Sequence, residues 1–237
     1  MVRLAWVFVL SLLLAACATE SEPNSARAYT QHNGATPAPS AQTEADSGRA
    51  VHTDLIRDML AQGQYYAALA HLEDQKRISG DTRELRLLEA EARRKLGQTS
   101  DAIRLYNGLL KTEYDGEAHH GLGLITFKTN PRDAVQHLRN AVQRRPTNAQ
   151  FRNDLGYALM ESGLYKEALP HLATAVELDQ TNVKARNNLV VLLLLNGDEV
   201  RAKQVVQGSG ASDEKFEELR RRAQTLSQSK ARVSQKR

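Results

Sequence analysis

Few side chains in this sequence could do chemistry, and the first of them is a thiol. Cys17 is the only cysteine among 237 residues, and it follows directly on an apolar run, Leu4 to Ala16, that only Ser11 interrupts. A lone cysteine in an exported chain would otherwise be left as a free thiol in an oxidising compartment. Acylation would account for both its solitude and its place. The seven histidines are the other candidates. His71, His137 and His171 recur at one repeat position, but two helices separate successive equivalents, and helix axes pack about 8–10 Å apart. His137 and His171 are therefore expected to be too distant to share an ion. His119 and His120 are adjacent on a helix and point to different sides. The sequence has no Gly-rich phosphate loop, no HExxH and no GxSxG. Ser, His and Asp occur, but nothing in their spacing assembles a triad. The sequence predicts no catalytic residue, no metal site and no cofactor.

The setting of the thiol points to one chemistry. Arg3 supplies an early positive charge, and the apolar run after it is shorter than the roughly 20 residues a spanning helix needs, so residues 1–16 read as an export signal. The junction Leu14-Ala15-Ala16-Cys17 resembles the lipobox of bacterial lipoproteins, in which small residues admit the processing peptidase and the thiol takes the lipid. The resemblance implies a mature N-terminus at Cys17 with three acyl chains, each buried methylene contributing about 0.8 kcal/mol to membrane binding. Ala18, rather than Asp, after the cysteine implies sorting to the outer membrane, facing the periplasm, in a host with two membranes. Removing Arg3 takes the basic count from 32 to 31 against 28 acidic residues, a net charge of about +3. That balance predicts no polyanion partner, and with no basic aromatic platform a nucleic-acid role is not expected.

The rest of the chain must position whatever the anchor delivers. Residues 17–48, rich in Ala, Thr, Ser, Pro and Asn without an apolar period, read as a lipidated cysteine and a flexible tether of roughly 30 Å reach. From residue 49 the sequence repeats. Ala68, Ala102, Ala134, Ala168 and Ala202 mark the period, with spacings of 34, 32, 34 and 34. Each unit reads as two amphipathic helices, over about 49–82, 83–115, 116–148, 149–182 and 183–207. In the fourth unit Leu155-Gly156, Leu159, Gly163, Tyr165, Ala168, Leu172 and Ala175 fall at packing positions similar to those of the tetratricopeptide repeat (TPR). The expected fold class is all-α: a TPR superhelical solenoid of about five helix-turn-helix repeats. Residues 208–237 add a capping helix, Asp213 to Leu226, and a basic tail.

In the TPR family the first helix of each pair lines a concave side, where residues need not pack the core. The register places Leu124, Phe127, Asn153, Tyr157, Met160, Asn187, Val191 and Leu194 there as a groove for a protein partner. The apolar members exceed what a merely soluble face requires, and the amides of Asn153 and Asn187 could hold a partner's backbone. The alternative is that the C-terminal helix folds back and covers them.

Lipobox, tether and repeats together resemble the TadD-like lipoproteins of the tight-adherence (Tad, Flp pilus) assembly system. Asn153-Asp154-Leu155-Gly156-Tyr157-Ala158-Leu159 and Ala185-Arg186-Asn187-Asn188-Leu189 carry that likeness. It implies a non-enzymatic, pilotin-like adaptor for the outer-membrane secretin through which the pilus emerges. Two other readings are an adaptor for peptidoglycan hydrolases or outer-membrane assembly and, in another class, an envelope hydrolase using carboxylates in the groove.

Overall fold

The computed structural model describes residues 41–234; Cys17, the export signal and most of the expected tether lie outside them. The described residues form eleven α-helices and no strand, as the all-α reading requires. They are α1 (Ala41–Ala61), α2 (Tyr65–Ser79), α3 (Arg83–Lys95), α4 (Thr99–Asn107), α5 (Asp115–Thr126), α6 (Pro131–Arg144), α7 (Ala149–Glu161), α8 (Tyr165–Leu178), α9 (Val183–Leu195), α10 (Glu199–Gln207) and α11 (Asp213–Ser234). The first ten pair into five hairpins, and α11 follows the last.

Local chemistry sets the hairpin turns. Gly63, Gly97, Gly163 and Gly197 end the first helices of hairpins one, two, four and five with φ of +74° to +78°, a left-handed conformation open to glycine and strained for other residues. The third hairpin turns differently. The Asn130 side chain accepts a hydrogen bond from the Asp133 amide at 3.3 Å, and Pro131, which lacks an amide hydrogen to leave unpaired, opens α6. Within a hairpin the helices approach until a methyl group would not fit: a Cβ built on Gly156 of α7 falls 2.6 Å from Leu172 Cγ of α8.

Each second helix packs against its own first helix and against the first helix of the next hairpin. First helices also touch each other directly, α1 with α3, α3 with α5 and α7 with α9. That closer approach makes the side they line concave. The buried apolar side chains fall into three clusters: Ile56 to Ala92, Ala90 to Leu122, and a large one from Val135 to Ala223.

Two boundaries differ from the sequence reading. α1 starts at Ala41, inside the segment expected to be tether. No proline lies between Pro39 and Pro131 to stop a helix, and Gly48 in its interior costs only about 1 kcal/mol. α11 runs to Ser234 rather than ending near Leu226. Beyond Leu226 the helix is tied down: Lys230 donates to the Tyr165 hydroxyl of α8 at 3.2 Å. Among the described residues, no helix is long and apolar enough to cross a membrane.

Candidate functional site

Three of the first helices and α11 carry a polar relay along the concave side. On α7, Asp154 Oδ2 lies 2.9 Å from His120 Nε2 of α5. Its Oδ1 accepts from Lys184 Nζ of α9 and from the neighbouring Asn153 amide, each at 2.8 Å. Asn153 in turn accepts from the Asn188 amide of α9 at 2.8 Å. Asn188 accepts from the Arg222 guanidinium of α11 at 3.3 Å. His120 stacks on Phe151 with ring centroids 4.3 Å apart. Buried polar groups are costly unless satisfied, and here each buried member of the relay has its partner. Burial by itself pushes the Asp154 carboxyl up; the His120 hydrogen bond and the Lys184 ammonium outweigh it and hold the group below the usual carboxylate range.

Beside the relay lies a cavity of about 350 Å³. Leu124 and Phe127 of α5, Leu138 of α6 and Tyr157 of α7 give it apolar walls, and Asp154, Lys184, Asn188 and Arg222 give it a polar edge. The Phe127 and Tyr157 rings meet at 5.6 Å and 44°. The Arg222 guanidinium sits 5.8 Å from the Tyr157 centroid, within the range of a cation–π contact. Burial and the neighbouring Glu161 push the Tyr157 phenol up, against the opposing pull of Arg222. An apolar hollow with a charged, hydrogen-bonded edge suits an apolar side chain on a polar backbone.

The structure brings Leu124, Phe127 and Tyr157 together at this cavity, and leaves Leu194 partly buried against the core. The other expected groove residues are placed differently. Met160 and Val191 are each 0% exposed and belong to the core. They are covered because α11 folds back over α9, and Lys230 of α11 donates to the Met160 carbonyl. The Asn153 amide, 1% exposed, is occupied within the relay. Asn187 is half-buried and is not part of the cavity wall; its neighbour Asn188 is. The covering helix was one of the two outcomes open to the sequence, and it operates over the last hairpins while the Phe127–Tyr157 hollow keeps its space.

Sequence reasoning did not single out Asp154, Lys184 or Arg222. Asp154 and Lys184 carried a usable signal, since opposite charges on first helices of successive repeats can face one another. Arg222 carried none, because the docking of a cap is not written in a repeat period. The histidines also hold a surprise: His119 and His137, on the two helices of one hairpin, place their Nδ1 atoms 3.0 Å apart. Among the described residues, no three His, Cys, Asp or Glu side chains converge to hold a metal ion.

Comparison with known proteins agrees with this architecture. Two family models described as tetratricopeptide repeat match residues 127–183 and 159–224. The TPR repeat-containing protein PA4299 of Pseudomonas aeruginosa is 35% identical over 155 residues, which spans 65% of this chain and 62% of that protein. Among solved structures, Pseudomonas aeruginosa pilF aligns with a TM-score of 0.62 at 16% identity, covering 80% of this chain and 89% of that one. The thermophilic TPR protein TTC0263 of Thermus thermophilus aligns with a TM-score of 0.55 at 22% identity, covering 75% of this chain and 98% of that one. At such identities the solved structures speak to fold alone.

Proposed function

We propose that this chain, whose helices stack as a tetratricopeptide-repeat solenoid, is a non-enzymatic adaptor, held to the outer membrane through Cys17 and binding a protein partner on its concave side. The observation that carries the binding reading is the hollow between Phe127 and Tyr157: about 350 Å³ with apolar walls, beside a polar relay whose hydrogen bonds are already made. The relay commits the Asp154 carboxylate to His120 and Lys184. It fixes the shape of the hollow, and shape is what an adaptor uses.

The lipobox-like Leu14-Ala15-Ala16-Cys17 supports the anchor. The partner we propose is the outer-membrane secretin, or another assembly component, of a tight-adherence (Flp) pilus. The likeness of residues 153–159 and 185–189 to that system's lipoproteins supports this choice. The anchor would set the membrane address, and the gain would be the partner's effective concentration there. Crosslinked pull-down of the full-length protein from membranes tests the assignment. Recovery of a secretin or another pilus component is expected; recovery of cell-wall hydrolases in its place would move the adaptor to peptidoglycan.

A further inference from the structure

The third hairpin brings two imidazoles together away from the cavity. His119 of α5 and His137 of α6 have Nδ1 atoms 3.0 Å apart, ring centroids 5.2 Å apart and planes inclined at 42°. Asp115, one turn before His119, keeps Oδ1 3.8 Å from His119 Nε2. That carboxylate is itself fixed by the Lys111 amide at 2.8 Å and by Arg144 at 2.7 Å. Asp133 stands one turn before His137 on α6. The other charges bearing on the pair are few: burial pushes both rings down, Asp115 draws His119 back up while His137 and Arg144 push it down, and Asp133 draws His137 back up. Burial thus favours the neutral form of both rings, the form that ligates metal.

At 3.0 Å two neutral imidazoles either share one proton between their Nδ1 atoms or turn both lone pairs on a cation. We propose that His119 and His137 form a two-imidazole site for a late first-row divalent cation, Cu²⁺ or Ni²⁺, that pins α5 to α6. With metal–nitrogen bonds of about 2.0–2.1 Å, nitrogens at this separation subtend roughly 91–97° at the ion. That is the angle between adjacent ligands of a tetragonal or octahedral ion, the geometry of Cu²⁺ and Ni²⁺, and it falls short of the tetrahedral angle zinc prefers. Neither histidine is sealed from solvent, so water completes the coordination.

The test uses the full chain with Cys17→Ser, so that no thiol competes, titrated with Ni²⁺ by calorimetry and with Cu²⁺ by electron paramagnetic resonance. One equivalent should bind, with two coordinated nitrogens, and His119→Ala or His137→Asn should each weaken it about 100-fold, as loss of one arm of a preorganised pair does. Circular dichroism checks that each variant keeps its helix content; if one does not, the spectrum of the parent decides. Fewer than two coordinated nitrogens in the parent, or unchanged binding in a folded variant, would overturn the site.

Discussion

From the first hairpin into α5 of the third the buried side chains fall into two separate clusters, Ile56 to Ala92 and Ala90 to Leu122, whereas a single cluster runs on from Val135 through Leu159 and Leu192 to Ala223 of the cap. Ion pairs add to the smaller clusters between the early hairpins: Arg57 of α1 with Glu84 of α3, and Lys76 of α2 with Asp81 and with Glu89 of α3. An exposed pair such as Arg57–Glu84 contributes about 0–1 kcal/mol. The later hairpins are held by apolar burial and by the relay through Asp154. We therefore expect one repeat pattern to yield a looser N-terminal part and a stiffer C-terminal part, with the candidate site where Phe127 of α5 and Tyr157 of α7 pack against the large cluster. That is where a hollow of fixed shape can be kept.

Core truncation should separate the two parts most sharply. Leu159→Ala, at a side chain with 0% exposure in the large cluster, is expected to cost about 3–5 kcal/mol, and Leu88→Ala in the first cluster about 2–3 kcal/mol. Urea unfolding measures both, and hydrogen exchange should find α1 to α4 opening before α7 to α9. Earlier opening of the C-terminal hairpins would break the comparison.

The relay comes next. Asp154→Ala strands His120 and the Asn153 amide, while Lys184 can turn to water, so a loss of about 2 kcal/mol is expected. Because the folded state holds the Asp154 carboxyl below its ordinary value of 3.8, its contribution is present above that value and is lost as the pH falls through the lower, folded one. An acid titration of stability should therefore show a step below about pH 4 in the parent that Asp154→Asn lacks. Identical acid profiles would remove the relay from the account.

Smaller effects sharpen the contrast further. Tyr157→Ala should weaken partner binding about tenfold, or about 1.4 kcal/mol, with little change in helix content; unchanged affinity would take Tyr157 out of the site. Arg57→Ala, which breaks an exposed pair between the first two hairpins, should shift stability by no more than about 0.5 kcal/mol.

Much of this was legible in the order of residues. Small residues at Gly156 and Ala168 announced a close helix approach, and Gly163 announced a left-handed turn, because each is a requirement of local geometry. Leu124, Phe127 and Tyr157 could be placed on one side because helix register carries over from repeat to repeat. The covering of Met160 and Val191 could not be read that way. It depends on where α11 docks, and one amphipathic helix can lie in several places with the same period. The meeting of His119 with His137 escaped for a related reason: they are not equivalent positions of two repeats but partners across one hairpin.

Site-specific photocrosslinking in native membranes tests the central claim most directly. A benzophenone amino acid at Leu124, in the wall of the hollow, is compared with one at Tyr66, 75% exposed on a second helix of the first hairpin. Leu124 should yield an adduct containing an envelope protein, a pilus secretin or its neighbour, and Tyr66 should not. Equal labelling from both positions, or none from Leu124, would contradict a partner seated on the concave side.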